Sequence, residues 1–343
     1  MTPPNESTAS DLYTSSIWDY DEVRVQIPTF IRQAVDDFND LSFDDLLSSA
    51  SRCLNRDQQS GLEYLLLKAT TGSSEEVVVH FNPFMLSFDA NMLLRAQFLS
   101  MTLTSSDICD TSGRRLNLLG FAAPNGDKTL KLGRHERRAT SKGDFSALAR
   151  NYVHVISRLG YKKLRIIGYS QGATIAAAVA VEAMRAGLQV SHVALGEPAN
   201  VLRRGPLKLG RDFSYANRLL NKAIDDGGIE HMKRFYFSYR PALALLWAFR
   251  KAPRKNISVI RGLGKDDFKT ELKALALSPA RITVSYGSLN RVCPKRVIED
   301  IFSSARSIPG AHSLHSVEID RAHHVWGDRL DLLAYFYYFA LTR

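Results

Sequence analysis

The sequence predicts an α/β protein: a mostly parallel central sheet with helices on both faces and a helical cap inserted between the last core strands. Two observations carry this. From Glu75 onward, short runs of β-branched and aromatic residues alternate with segments whose apolar residues recur at helical spacing, and repeated units of that kind build a parallel sheet between two helical layers. One strand-to-helix junction also carries Gly168-Tyr169-Ser170-Gln171-Gly172, a serine between two glycines at a sharp turn. The length of 343 residues, 45% hydrophobic and 23% charged, supplies enough apolar material for one large domain with an insertion.

Residues 1–16 are rich in Ser, Thr, Pro and Asn, which predicts a disordered lead without the basic and apolar regions of a secretory signal. Residues 17–74 predict a helical extension. After a short strand at Val23–Ile27, Phe43, Leu46, Leu47 and Leu54 recur at helical spacing, as do Leu62, Leu65 and Leu66.

The core is expected over 75–197 and 282–343. Val77 to Phe81 reads as a buried parallel strand, and Leu116–Leu119 as another that ends at Gly120. Phe145, Leu148, Tyr152, Val155, Ile156 and Leu159 fall on one helix face. Asp144 is placed to cap its start, and Gly160 occupies the left-handed position that ends it. The strand Leu164–Ile167, a helix from Gln171 to about Ala186 and the strand Val190–Leu195 follow. Beyond the insertion come the strand Arg281–Tyr286, the helix Val297–Ala305, the strand Ser316–Ile319 and the helix Leu330–Leu341.

The expected cap, 198–281, holds the charge of the molecule. It has 18 Lys+Arg against 7 Asp+Glu, a surplus of 11 that leaves the rest of the chain at −1, since the whole carries +10. Pro241-Ala242-Leu243-Ala244-Leu245-Leu246-Trp247-Ala248-Phe249 predicts a buried helix, either packed on the core or roofing an acyl-binding pocket. Its basic ends suit an anionic membrane or an anionic leaving group, and the alternative is a solvated helical surface. Nucleic acid is the weaker partner, because basic residues interleave with aromatics but no recognition motif is present. The three cysteines, Cys53, Cys109 and Cys293, are odd in number and lack metal-binding spacing, so reduced thiols and no metal or other cofactor are expected. No apolar run reaches the roughly 18 residues of a spanning helix, and a cytoplasmic chain is the expectation. Oligomeric state is not legible.

Ser170 is the candidate nucleophile. Its pentapeptide directly follows Leu164-Arg165-Ile166-Ile167 and directly precedes Ala173-Thr174-Ile175-Ala176, which is the strand–turn–helix setting of a nucleophile elbow. The two glycines remove side chains that would clash at the turn, and the serine is presented at a helix N-terminus, where backbone N–H groups can hold an oxyanion.

On these residues, and on Leu159-Gly160-Tyr161-Lys162-Lys163 leading into them, the chain resembles the α/β-hydrolase family over about 75–197 and 281–343. The spelling Gly-Tyr-Ser-Gln-Gly-Ala is also similar to cutinase-like and mycolyl-ester hydrolases over those few residues. The resemblance implies a serine esterase or lipase-like enzyme whose base is a histidine after the last strand. His323 and His324 both stand there; His324, followed by the bulky Val325 and Trp326, is the better match, and His323 is the alternative. A metal site built on the pair has only Asp328 in support. The family's acid position, framed by Gly287 and Pro294, holds Asn290, which orients a ring without supplying charge. Glu197, in Leu195-Gly196-Glu197-Pro198-Ala199, resembles the acid site of pancreatic-type lipases and is the favoured acid, with a cap or loop role as its alternative. For the oxyanion hole the resemblance implies the Gln171 N–H and one from Phe81 or Asn82, since Pro83 has none.

The functional expectation is hydrolysis of a carboxylic ester or thioester, of a small-molecule or lipid-like acyl substrate, through an acyl-enzyme. The competing expectation is a non-catalytic scaffold of the same fold that binds a partner or anionic surface through 198–281.

Overall fold

The computed structural model describes residues 13–83, 90–127, 129–225, 250, 252–265, 267–324 and 326–343. Among them one sheet runs in the order β1 (Tyr13–Asp19), β9 (Leu314–Asp320), β8 (Arg281–Gly287), β7 (Gln189–Gly196), β6 (Lys163–Tyr169), β4 (Gly72–Phe81), β5 (Arg115–Phe121), β3 (Glu63–Leu67), β2 (Leu54–Arg56). Pairing is parallel from β1 through to β5, and only β3 and β2 run antiparallel to their neighbours. Val77, Val78 and Val79 are fully buried, as a strand covered on both faces requires.

Two hydrophobic cores follow from that double covering. On one face lie α6 (Ser146–Arg158), α7 (Gln171–Arg185), α10 (Phe268–Ala276) and α11 (Lys295–Arg306). The other face carries α2 (Thr29–Asp40), α3 (Phe43–Arg52), α4 (Ala90–Ser105) and α12 (Leu330–Thr342). α7 is alanine-rich and lies over the middle of the sheet, where small side chains let helix and strands approach closely. Asp144 caps α6 by accepting the Ser146 N–H at 2.9 Å, and Gly160 ends it at φ +87°. Both were expected.

The structure corrects the N-terminal reading. Val23–Ile27 is not a strand: Val23 to Gln26 form the single helical turn α1, which buries Val23 and Ile27 one turn apart. Leu62, Leu65 and Leu66 are not helical either, because Glu63–Leu67 form β3 and alternate Leu65 and Leu67 into the core. Residues 13–16 belong to β1 rather than to a disordered lead. This polar edge strand pairs with β9, about 300 positions away, and its Trp18 stacks on Tyr335 at 4.7 Å. No sequence window shows a partner that distant.

The insertion between β7 and β8 divides. α8 (Pro206–Asp225) lies over the C-terminal edge of the sheet, whereas α9 (Pro253–Leu263) packs on α5 (Arg134–Ser141) and α10 packs on α7. Val259, Leu263, Phe268 and Leu272, from two helices within the expected cap at 198–281, enter the main core. The helix expected at Pro241–Phe249 lies outside the described residues.

Candidate active site

The site is assembled from the C-terminal ends of β6, β7, β8 and β9. β6 runs into α7 through Ser170, whose backbone is held at φ 57° and ψ −120°, a left-handed setting that costs a non-glycine residue on the order of 1–3 kcal/mol. The surroundings enforce it. A side chain on Gly168 would overlap the Gly172 carbonyl, and one on Gly172 would overlap the Phe81 carbonyl. The Ser170 N–H is tied to the Gly196 carbonyl at 2.7 Å, and the Ser170 carbonyl accepts the Ala173 N–H at 3.0 Å as α7 begins.

The loop after β9 brings the imidazole. Arg321 adopts φ 57° and is anchored to Asp19, and to Asp21 at 3.1 Å. His324 then points inward, with Nε2 2.8 Å from Ser170 Oγ. Both groups are buried. The His324 carbonyl accepts the Tyr169 hydroxyl, whose oxygen in turn accepts the Gly327 N–H at 3.1 Å. Of the two candidate histidines, His324 meets the serine. His323 faces away, with Nδ1 3.1 Å from the Leu289 carbonyl.

Glu197 stands at the end of β7 and, like Ser170, has a left-handed backbone, φ 55°. Its side chain is fully buried. Oε1 accepts the Gly287 N–H at 2.6 Å and the Trp326 indole N–H at 2.7 Å, while Oε2 accepts the Asn290 amide and lies 3.7 Å from His324 Nδ1. Burial pushes the carboxyl's pKa up, and the neighbouring donors and His324 oppose that rise by favouring the anion. Asn290 occupies the same cluster. Its Oδ1 accepts the Val292 N–H at 2.7 Å, which turns Nδ2 toward Glu197 and toward His324 Nδ1 at 3.2 Å. The two candidate partners of the ring are therefore both in place, carboxylate behind and amide between.

Of the expected oxyanion donors, Gln171 begins α7, and the first N–H groups of a helix have no intrahelical acceptor. Asn82 differs from expectation: its N–H (3.4 Å) and side-chain Nδ2 (2.7 Å) both point to the Phe121 carbonyl, so that N–H is engaged with β5. Phe81, in register between Phe121 and Gly168, ends β4 against the start of α7. The side-chain amides of Gln171 and Asn82 leave buried polar atoms unpartnered beside the serine.

Several contributors carried no sequence signal of their own. Phe213, on α8, lies edge-on to His324 at 5.6 Å between ring centres, and Tyr215 meets His323 at 6.2 Å. Trp326 was visible only as bulk after the histidine, and its indole N–H proves to be a carboxylate donor. Buried Cys293 has its thiol pKa pushed well up by burial and by the nearby Glu197 charge, which keeps it protonated. His192 lies outside the cluster, with Nδ1 3.0 Å from Ser191 Oγ. Among the described residues no group of three or more His, Cys, Asp or Glu is arranged to hold a metal ion, and no helix is long and apolar enough to cross a membrane.

The sheet order and the placement of a strained serine, a carboxylate and a histidine after β6, β7 and β9 define an α/β-hydrolase fold. No protein-family model matches the sequence, and no curated protein does. Solved structures do. An alpha/beta hydrolase enzyme from a Medee basin deep-sea metagenome library superposes with a TM-score of 0.53 at 13% identity, over 83% of this chain and 96% of that one. The enol-lactonase from Burkholderia xenovorans gives 0.52 at 14% identity, over 82% and 98%. At such identities the likeness is one of fold.

Proposed function

We propose that this chain is a serine hydrolase that cleaves a carboxylic ester or thioester of a lipid-like acyl substrate. The observation that carries the reading is the 2.8 Å contact between Ser170 Oγ and His324 Nε2, made by two buried side chains 154 positions apart and supported by a strained backbone at the serine. In the proposed cycle Ser170 Oγ attacks the acyl carbon and its proton passes to His324 Nε2. The Gln171 N–H and a second donor, expected from Phe81 or Asn82, hold the carbonyl oxygen as it gains charge. The C–O or C–S bond then breaks, His324 gives its proton to the leaving group, and water repeats the sequence on the acyl-serine. Glu197 is the acid that stabilises the imidazolium, and Asn290 positions both.

A fluorophosphonate probe tests this directly. Labelling of the wild-type chain that disappears in Ser170→Ala is the expected result. Folded wild-type protein that takes up no label would instead favour the non-catalytic scaffold, the reading kept alive by Asn290 at the usual acid position.

A further inference from the structure

We propose that the outer faces of α8, α9 and α5 form a docking surface for an anionic lipid bilayer, a step that rests on the hydrolase reading and adds the source of its substrate. The charge is segregated in space as well as in sequence. On α8 the exposed side chains include Lys208, Arg211, Arg218 and Lys222, while Asp212, the lone acidic residue between Arg203 and Lys222, is buried 3.3 Å from Arg204. α9 exposes Arg254 and Arg261, and α5 exposes Arg134 and Arg138, with Glu136 turned back onto the Gly133 N–H.

These three helices are contiguous. The Arg204 N–H ahead of α8 donates to the Gly264 carbonyl after α9 at 2.8 Å, and Gly262 of α9 sits so close to the Thr140 carbonyl of α5 that a side chain there would overlap it. None of the eight basic side chains has a carboxylate partner among the described residues. On the opposite helical layer, α2 and α3 expose Asp36, Asp37, Asp40, Asp44 and Asp45. The molecule is thus polarised, and near a negative surface its field turns the α8–α9 side inward.

Two further features select a bilayer over a nucleic acid. Leu207, 92% exposed, opens α8 amid these cations, and Ile257, 40% exposed, lies between Arg254 and Arg261 on α9. Aliphatic side chains among Lys and Arg suit insertion at a lipid interface, whereas single strands are gripped by stacked aromatics. In addition, α8 carries Phe213 against His324, so a surface held by α8 lies next to the proposed nucleophile.

Co-sedimentation with phosphatidylcholine vesicles, with and without phosphatidylglycerol, tests the proposal. Binding should require phosphatidylglycerol and weaken with salt. Arg211→Glu/Arg218→Glu should bind at least about 30-fold more weakly, from about 1 kcal/mol per basic side chain near the surface, and Arg211→Ala/Arg218→Ala should show a smaller loss in the same direction. Leu207→Ser should weaken binding without altering its salt dependence. Binding that ignores phosphatidylglycerol or salt, or is unchanged in both arginine pairs, overturns the assignment. So does single-stranded RNA that displaces the vesicles and loses affinity in the same variants. Fluorophosphonate labelling of the arginine variants in solution should equal wild type. Wild-type protein that takes up the probe but does not bind phosphatidylglycerol vesicles would end this inference alone, whereas absent labelling in the wild type would end the hydrolase reading.

Discussion

Ser170, Glu197 and Arg321 are the non-glycine residues held in the left-handed region among those described, and each sits at a strand end that delivers a side chain to the site. Strain of this kind persists only where the surroundings over-determine it, and here glycines and backbone hydrogen bonds supply that constraint. The Glu197–Asn290–His324 cluster decides which neighbour matters to the base. An amide nitrogen facing Nδ1 favours the ring form with its proton on Nε2, which cannot accept the serine proton; the productive form needs Nδ1–H directed at Glu197. The carboxylate stands 3.7 Å away and has to close to roughly 2.8 Å as the ring gains charge. Glu197→Gln should therefore lower kcat by about 10³- to 10⁴-fold, whereas Asn290→Ala, which leaves the carboxylate in place, should cost less than about tenfold. Steady-state ester hydrolysis measures both, and equal small losses would refute the assignment. In the proposed mechanism, protonation of Glu197, whose pKa burial raises, contributes to the acid limb of kcat/KM. Trp326→Phe removes a donor that favours the anion, so the limb should move to higher pH; a limb that stays put would mean another group controls it.

At the scale of elements, what the sequence made legible was whatever local pattern dictates. β4, β6, β7, β8, β9 and the helices α6, α7, α11 and α12 fall where β-branched runs and helical spacing put them, because a buried parallel strand and its covering helix each need that composition along their own length. The turn at Ser170 was legible because its chemistry is local, and the resemblance pointed to His324 and Glu197 as candidates that the structure brings near Ser170. β1 was not legible, since its partner is the other end of the chain, and β3 reads as helix because Leu62, Leu65 and Leu66 fall at helical spacing, whereas Leu65 and Leu67 alternate into the core. Phe213 and the α8 contact with His324 depend on how the insertion folds back, which no spacing encodes. The close contact of α7 with β4 gives a test at this scale. Gly172→Ala drives a methyl into the Phe81 carbonyl and should cost about 2–3 kcal/mol, lowering Tm by several degrees. Gly160→Ala, at φ +87° with open space around it, should cost only about 1 kcal/mol. Thermal melts of the pair would contradict the packing argument if the two losses were equal.

For the molecule as a whole, a doubly covered sheet makes titratable groups within it expensive to charge. His80 lies on β4 between the two helical layers, buried, its Nδ1 without a partner and its ring edge-on to Tyr337. Burial, with the Arg95 guanidinium adding to it, holds its pKa near 3 against about 6.5 for a free histidine. The folded state keeps the ring neutral while the unfolded chain takes up a proton below pH 6.5. Stability from this group is therefore complete above 6.5 and falls as pH drops toward 3, by about 1.4 kcal/mol per unit over most of that span. His192 and His315, each held near 4 by burial first and by neighbouring arginines second, act in the same direction. Ordinary carboxylates titrate lower, but burial raises the pKa values of Glu197 and Glu271, so the His80 contribution is read as the difference between wild type and a His80 variant. Urea unfolding between about pH 6.5 and about 4.5 should give a steep loss of stability in the wild type. In His80→Gln, which cannot take up the proton, the slope should be shallower by about 1.4 kcal/mol per pH unit, whatever the variant loses at neutral pH through packing. Parallel slopes would show that His80 charges in the folded protein, and that the two helical layers leave water a path to the centre of the sheet.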